Sequence, residues 1–440
     1  MNSDAGVMIQ QAAMQRSHVK VAFASLIGTA IEWYDFFLYG TAAALVFNKL
    51  FFPQFDPTVG TIAAFGTLAI GFIARPVGGM VFGHYGDRIG RKTMLYLTLL
   101  IMGLGTTLIG FLPPYSSVGL WAPALLVSCR LLQGFALGGE WGGAVLMAVE
   151  HAPENRRGFY GSWPQLGAPL GLVLGTVVFG YFSSYPEEQF LSWGWRVPFL
   201  FSIVLVAIGL FIRMKIAESP AFERIKAAKQ EARMPIIEAI VKHPKNMLLA
   251  MGVRFAENGL FYIYAAFVFA YATGVLKVSR PMILTAVTIA AAIEVFTIPF
   301  FGFLSDKLGR RPVYTFGAAF SGLWAFPFFW LMGYKDPWLA TLAVAVGLAI
   351  GHAAMYGPQG SFLSEMFSAR VRYSGASLGY QLASIFAGAL TPMVSTWLLK
   401  TYDNAFLPVA VYMMILAFIT VVSLYFAKET YQRTNAETDQ

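Results

Sequence analysis

Thiols and charge are what this chain has least of. One cysteine, Cys129, stands among 440 residues, which excludes an intrachain disulfide and any metal centre built from several thiolates. It falls within an apolar run, where packing is its expected role. No cluster of metal-ligand spacing, no nucleophile beside a base and no nucleotide-binding loop is present, so neither a metal site nor a membrane-embedded enzyme is expected. The polar start, up to about Lys20, carries no small-residue cleavage site, and the first apolar run would itself direct the chain to its membrane. Charged residues amount to only 12%. A long polar connection occurs once, over residues 214–244.

Apolar residues dominate in their place, at 57% with a mean hydropathy of +0.61, more than the cores of a soluble protein of this length accommodate. About twelve runs have the length of roughly 20 residues that a helix needs to cross the hydrocarbon layer. They are continuous and too long for the alternating strands of a β-barrel. The expected fold is an all-α membrane protein. Its spans are predicted at 21–47, 59–82, 93–111, 120–147, 158–182 and 195–213, then at 246–272, 280–304, 313–332, 338–364, 373–398 and 405–427. The intervening 214–244 reads as a cytoplasmic linker with a short amphipathic helix after Ser219-Pro220. Residues 1–20 and 429–440 read as terminal tails flanking six-helix bundles at 21–213 and 245–428.

The net charge of +8 invites a nucleic-acid reading, which the placement of the basic residues excludes. Arg88, Arg91, Lys92, Arg156, Arg157, the stretch from Arg213 to Lys245, Lys307, Arg310, Arg311, Arg370 and Arg372 all fall in alternate loops. The positive-inside rule then puts both termini in the cytoplasm. The partner implied is a lipid bilayer.

The chain repeats itself. Gly83-His-Tyr-Gly-Asp-Arg-Ile-Gly-Arg-Lys92 is answered about 219 residues later by Gly302-Phe-Leu-Ser-Asp-Lys-Leu-Gly-Arg-Arg311, which aligns Asp87 with Asp306 and Arg91 with Arg310. Glu150 precedes Arg157, and Glu365 precedes Arg372, at one common spacing. Pro164-Gln165-Leu166 parallels Tyr380-Gln381-Leu382. Such parallel halves favour two bundles facing each other across a central cavity.

A charged side chain at mid-bilayer costs about 2.5–3.5 kcal/mol on insertion scales, so those that persist are paired, watered or useful. Glu32 and Asp35 lie in span 1, Arg130 and Glu140 in span 4, Arg254 and Glu257 in span 7, Glu294 in span 8 and His352 in span 10. Helical spacing puts Glu32, Asp35 and Tyr39 on one face, expected to look inward. Depths of roughly 22 Å for Asp35 and roughly 25 Å for Arg130 allow the two to meet. Gln133 shares the Arg130 face. Arg254 suits a substrate carboxylate, which accepts two parallel hydrogen bonds from a guanidinium. Glu257, Tyr356 and Gln381 complete the expected wall.

These residues carry a resemblance. The Gly83–Lys92 segment and its copy resemble the repeated loop signature of the major facilitator superfamily, and Arg130-Leu-Leu-Gln133-Gly134 resembles that superfamily's span-four motif, whose arginine is associated with proton coupling. Glu32-Trp-Tyr-Asp-Phe-Phe-Leu-Tyr-Gly40, Arg75-Pro-Val-Gly-Gly79, Gly138-Gly-Glu-Trp-Gly-Gly143 and Trp193-Gly-Trp-Arg-Val-Pro198 are similar to the metabolite:proton symporter family, nearest its shikimate and organic-acid branch. The resemblance implies twelve helices in two bundles that rock around a midplane site. It implies a monomeric bacterial inner-membrane symporter that takes up a small organic acid with protons and needs no cofactor beyond the proton gradient. Glu32, Asp35 and Arg130 would then couple the proton. Asp87, Arg91, Glu150, Arg157, Asp306, Arg310, Glu365 and Arg372 would form the cytoplasmic gate, with Arg91 meeting Glu150 and Arg310 meeting Glu365. Gly167-Ala-Pro169-Leu-Gly171 departs from the span-five pattern of drug antiporters. The short tail after Lys428, without heptads, places a zwitterionic osmolyte second. A receptor that binds without transporting is a further alternative.

Overall fold

Without water in the hydrocarbon layer every backbone polar group needs an internal partner, and continuous apolar runs therefore close their hydrogen bonds as helices. The computed structural model describes residues 2–55, 57–229 and 232–431. Among them, twelve helices are long and apolar enough to span. Spans 1 to 6 are His18–Ala42, Ile62–Ile89, Arg91–Phe111, Trp121–His151, Glu154–Ser183 and Glu187–Met214. Spans 7 to 12 are Pro244–Val275, Arg280–Leu308, Arg310–Gly333, Pro337–Glu365, Arg372–Thr401 and Leu407–Phe426. They form two six-helix bundles, and large apolar side chains such as Phe296, Trp338 and Phe418 stand exposed on the outer surface.

The segment Gly83–Lys92 is not a loop of ten residues. The helix of span 2 runs on to Ile89 and that of span 3 starts at Arg91, so Gly90 alone makes the turn. Gly90 has φ 127° and its repeat partner Gly309 has φ 99°, a region open to glycine. Both also leave room for a carboxylate: a Cβ at Gly309 would stand 2.8 Å from Glu429 Oε2.

Chain ends and linker also differ from expectation. The helix of span 1 reaches back to Asn2, where a polar tail is expected, since no proline falls between Asn2 and Lys20 and the cost of Gly6, about 1 kcal/mol, does not stop the helix. The linker carries two short helices, Pro220–Ala227 and Pro235–Lys242, each opened by a proline at its first position. Of the expected tail 429–440, residues 432–440 lie outside the described residues.

Spans 2 and 4 touch backbone to backbone. A Cβ at Gly134 would lie 2.8 Å from Gly71 Cα, and one at Gly138 would lie 2.6 Å from Gly79 N. Neither side has a flexible group to move, so Gly134→Ala is expected to destabilise the bundle by about 1–3 kcal/mol. A detergent-solubilised variant should melt several degrees lower. An unchanged melting temperature would contradict this close packing.

Candidate functional site

The two halves enclose a cavity lined by Glu32, Trp33, Phe36, Arg75, Leu137 and Trp141 from the first half. Arg254, Asn258, Tyr262, Tyr380 and Gln381 line it from the second. The rings of Trp141 and Tyr380 stack across the halves with centroids 3.6 Å apart, and Arg254 lies 3.0 Å from the Tyr380 centroid on that ring. Trp33 meets Phe261 edge to face at 5.9 Å, and Phe72 meets Tyr262 at 5.9 Å. Aromatic contacts between halves thus border the cavity.

The repeat-related glutamines tie the halves together. Gln165 accepts a hydrogen bond from Trp141 Nε1 at 2.9 Å and donates to the Tyr356 carbonyl at 3.3 Å. Gln381 donates to the carbonyls of Gly138 at 3.2 Å and Leu137 at 3.4 Å. Each glutamine crosses into the other half.

Of the expected site residues, Glu32, Arg254 and Gln381 reach this cavity, while Asp35, Tyr39 and Gln133 turn into the first bundle. Asp35 accepts hydrogen bonds from Thr106 Oγ1 at 2.7 Å and Ser202 Oγ at 2.8 Å. A three-residue step on a helix rotates by roughly 300°, so Asp35 points roughly 60° away from Glu32, toward spans 3 and 6. Asp35 and Arg130 do not pair directly. Arg130 Nη1 donates to Gln133 Oε1 at 3.2 Å, and Gln133 Nε2 donates to Thr106 Oγ1 at 2.7 Å, so a side chain and a hydroxyl stand between the charges. Tyr39 places its hydroxyl 2.5 Å from Thr67 Oγ1 and its ring centroid 4.5 Å from the Arg130 guanidinium.

In the second half, Arg254 Nε lies 3.5 Å from Glu257 Oε2, and Nη1 donates to the Tyr380 carbonyl at 3.4 Å. Glu257 accepts from Gln359 Nε2 at 2.8 Å and stands 3.3 Å from His352 Nε2. The other ring nitrogen of His352 contacts Glu294, and the Phe261 and Tyr356 rings flank the imidazole at 5.1 and 4.9 Å. Arg254, Glu257, His352 and Glu294 therefore form one buried chain of charge from three helices. Glu257 and the Tyr356 ring sit behind the cavity wall.

The face that carries the basic loops is shut by contacts between halves. Asp87 accepts from the amides of Ser374 at 2.9 Å and Tyr373 at 3.3 Å, at the start of span 11, where the helix dipole favours a carboxylate. Asp306 accepts from Gly158 and Phe159, both at 2.8 Å, near the start of span 5. Arg91 Nη2 donates to the Ala369 carbonyl at 3.1 Å, and Arg372 Nη1 lies 3.3 Å from Glu150 Oε1. The pairs Arg91–Glu150, 3.6 Å, and Arg310–Glu365, 3.3 Å, form as expected but each stays within one half. They position the groups that cross. Arg157 pairs with Glu154 at 3.6 Å and does not mirror Arg372.

Sequence reasoning passes over several of these groups. Arg75 reads as part of the Arg75–Gly79 motif and not as a buried charge. Arg213 reads as the end of span 6 and the start of the basic stretch to Lys245, whereas its guanidinium pairs with Glu140 and donates to the Leu95 carbonyl at 2.7 Å. The signal was Glu140 itself, a span carboxylate in need of a cation. Glu218 accepts from the amide of Arg91 at 3.1 Å, and Ser219 contacts Glu150. Glu429 and Thr430 repeat this: Glu429 accepts from the amides of Arg310 at 3.0 Å and Arg311 at 2.9 Å, and Thr430 donates to Glu365 at 2.7 Å. Both polar ends after a sixth helix thus brace the turn glycines.

Comparison with known proteins matches this geometry. The sequence profile of the Major Facilitator Superfamily matches residues 25–387 and, again, 258–440. The shikimate transporter of Escherichia coli (strain K12) is 43% identical over 415 residues, 93% of this chain and 94% of that one. The inner membrane metabolite transport protein YhjE of the same strain is 42% identical over 94% of this chain and 95% of its own. A proline/betaine transporter of Salmonella typhimurium is 35% identical over 94% of this chain and 84% of its own. The solved proton:xylose symporter XylE, bound to 6-bromo-6-deoxy-D-glucose, superposes with a TM-score of 0.76 at 19% identity, over 97% of this chain and 99% of that one. That likeness is one of fold.

Proposed function

The chain belongs to the Major Facilitator Superfamily and is a membrane transporter of metabolites, not an enzyme, and from that premise we propose that it is a proton-coupled symporter importing a small organic acid by alternating access. The carrying observation is the charged cavity between the halves, closed toward the basic face by groups that cross from one bundle to the other. Opening those contacts while the aromatic border on the other side tightens would expose the cavity to one face at a time. The basic face is assigned to the cytoplasm by the positive-inside rule, which sets both termini there in a bacterial inner membrane, with the protein acting as a monomer. Glu32, Asp35 and Arg130 are assigned to proton coupling, and Arg254 with its paired Glu257 to the substrate wall.

A second reading is an osmolyte symporter. The rings of Trp33, Phe36, Trp141, Tyr262 and Tyr380 around the cavity suit a quaternary ammonium as well as they suit a hydrocarbon ring. Proteoliposomes with an acidic exterior are expected to accumulate labelled shikimate or another small organic acid above equilibrium, and a protonophore should collapse the gain. Uptake of glycine betaine with no organic acid would establish the second reading. Accumulation indifferent to the pH gradient would overturn proton coupling.

A further inference from the structure

Arg75 stands apart from the other arginines inside the spans. Arg130 donates to Gln133, Arg213 is paired with Glu140, and Arg254 lies beside Glu257. Arg75 is 6% exposed, and among the described residues it makes no ion pair within 4.0 Å and no hydrogen bond. Its guanidinium carbon lies 4.0 Å from the Phe72 centroid and 5.4 Å from that of Phe36, contacts that hold its plane without satisfying its N–H donors. A buried guanidinium left in that condition calls for an anion.

Glu32 is its counterpart. It lines the same cavity, is also 6% exposed, makes no ion pair among the described residues, and leaves Oε2 without a hydrogen bond. The groups facing Glu32 are Asp35 on its own helix, Arg75 on span 2, Glu140 on span 4 and Arg213 on span 6, with Tyr356 and Tyr380 across the cavity. Glu140 and Arg213 neutralise each other, and Asp35 is held by two hydroxyls. Facing Arg75 are Tyr262, Tyr380, Arg130 and Arg254, the last already set against Glu257. One unpaired cation and one unpaired carboxyl therefore share the cavity.

We propose that Arg75 is the anchor for the substrate carboxylate, and that ionised Glu32 competes with that carboxylate for it. The inference rests on the reading of the protein as a symporter of small carboxylates. When Glu32 takes up a proton, Arg75 is left without a counter-charge and receives the substrate carboxylate through two parallel hydrogen bonds. When Glu32 loses the proton on the other side of the membrane, its charge displaces the substrate. The cavity holds the same net charge in both states: Glu32 and Arg75 cancel when it is empty, and substrate and Arg75 cancel when it is loaded. Proton and anion enter and leave together, with Arg254 remaining part of the wall.

Binding is read by quenching of tryptophan fluorescence, since Trp33 and Trp141 line the cavity. Shikimate, lactate, proline and glycine betaine are titrated, each beside its methyl ester, at several pH values. Wild-type protein should bind at least one acid well above its ester, and more weakly as pH rises. Arg75→Lys and Arg75→Gln should lose that preference, with affinity for the acid falling about tenfold or more. Glu32→Gln should bind the acid with an affinity that no longer changes with pH, exchange it across vesicles, and fail to accumulate it. A preference that survives in both Arg75 variants, when these elute as folded protein, overturns the anchor while leaving the symport reading intact. Should the Arg75 variants not fold, a Glu32→Gln protein whose affinity keeps the wild-type pH dependence overturns the competition by itself. Wild-type protein that prefers no acid over its ester overturns the anchor and the carboxylate reading together.

Discussion

Asparagine in place of Asp35 is expected to abolish accumulation driven by a pH gradient while leaving exchange of substrate across the membrane. The substitution conserves volume. Thr106 and Ser202 stand 2.7 and 2.8 Å from the two oxygens of the native carboxylate; an amide keeps its oxygen for Ser202 and donates its NH2 to Thr106, whose hydroxyl has the Met102 carbonyl at 3.1 Å to donate to, so the bundle has little reason to rearrange. What it removes is a titrating charge at the end of a relay. Thr106 is held by Gln133, Gln133 by Arg130, and among the described residues Arg130 has this one hydrogen bond and the faces of Tyr39 and Phe36 to fix it. A change of charge at Asp35 is therefore felt by a guanidinium free to change partners, and that exchange would make reorientation depend on the proton. Each proton carried with the substrate supports about tenfold accumulation for each pH unit of gradient. The variant should equilibrate instead. Proteoliposomes loaded at equal internal volume measure both quantities, and unchanged uphill uptake excludes Asp35 as an obligatory proton site. Asp35→Asn should retain the fall in affinity with rising pH that Glu32→Gln loses, which separates the reorienting carboxyl from the binding one.

Span positions, the two-bundle architecture and the family were legible in the sequence because each rests on a long-range regularity: run length, an alternating loop charge, and a repeat. Side-chain facing was legible only in part. Glu32 and Asp35 share a broad helical face, yet one looks into the cavity and the other into its own bundle, a divergence that spacing alone does not settle. π-helical turns add to this. Those at Ile263–Phe267, Gly347–His352 and Ser384–Ala389 each shift the register of the helix beyond them, so a face counted at a constant period drifts along spans 7, 10 and 11. Arg75 was hidden for another reason. Its motif points to a family but says nothing of whether its charge is paired, and absence of a partner is a property of three-dimensional packing. Glu218 and Glu429 likewise read as solvated polar residues until the chain folds back and sets them on the amides beside Gly90 and Gly309.

Glutamine in place of Glu150 is expected to open the basic face. Glu150 is buried at the point where both halves and the linker meet: Arg91 Nε at 3.6 Å comes from its own half, Ser219 from the linker, and Arg372 at 3.3 Å from the other half. Removing one partner of a buried, hydrogen-bonded charge pair typically costs about 2–5 kcal/mol, much of it from the charges left unpaired. Here Arg372 is left without its counter-charge at a seam where Arg91 keeps only Asp87, at 3.1 Å, to offset it, so the two guanidinia repel. That repulsion exists only while the seam is closed, because Arg372 leaves with the second half as it opens. The substitution therefore raises the energy of the closed state selectively instead of weakening the fold as a whole, and a shift of even about 2 kcal/mol changes the ratio of states about thirtyfold. The native thiol is conveniently single, so Cys129→Ala gives a clean background. Ser364 lies 1% exposed in the cleft formed by Glu150, Arg157 and Arg372, and Ser364→Cys reports its opening through the rate of thiol labelling. Glu150→Gln should accelerate labelling by an order of magnitude or more, and adding Arg372→Gln should return much of the difference by removing the stranded cation. Reversing Arg91 and Glu150 together should recover less, since the new arginine at 150 would still meet Arg372 across the seam. Labelling that is equally slow in all of these variants would show that the backbone caps at Asp87 and Asp306 hold the face shut by themselves, and that Glu150 is not part of the latch.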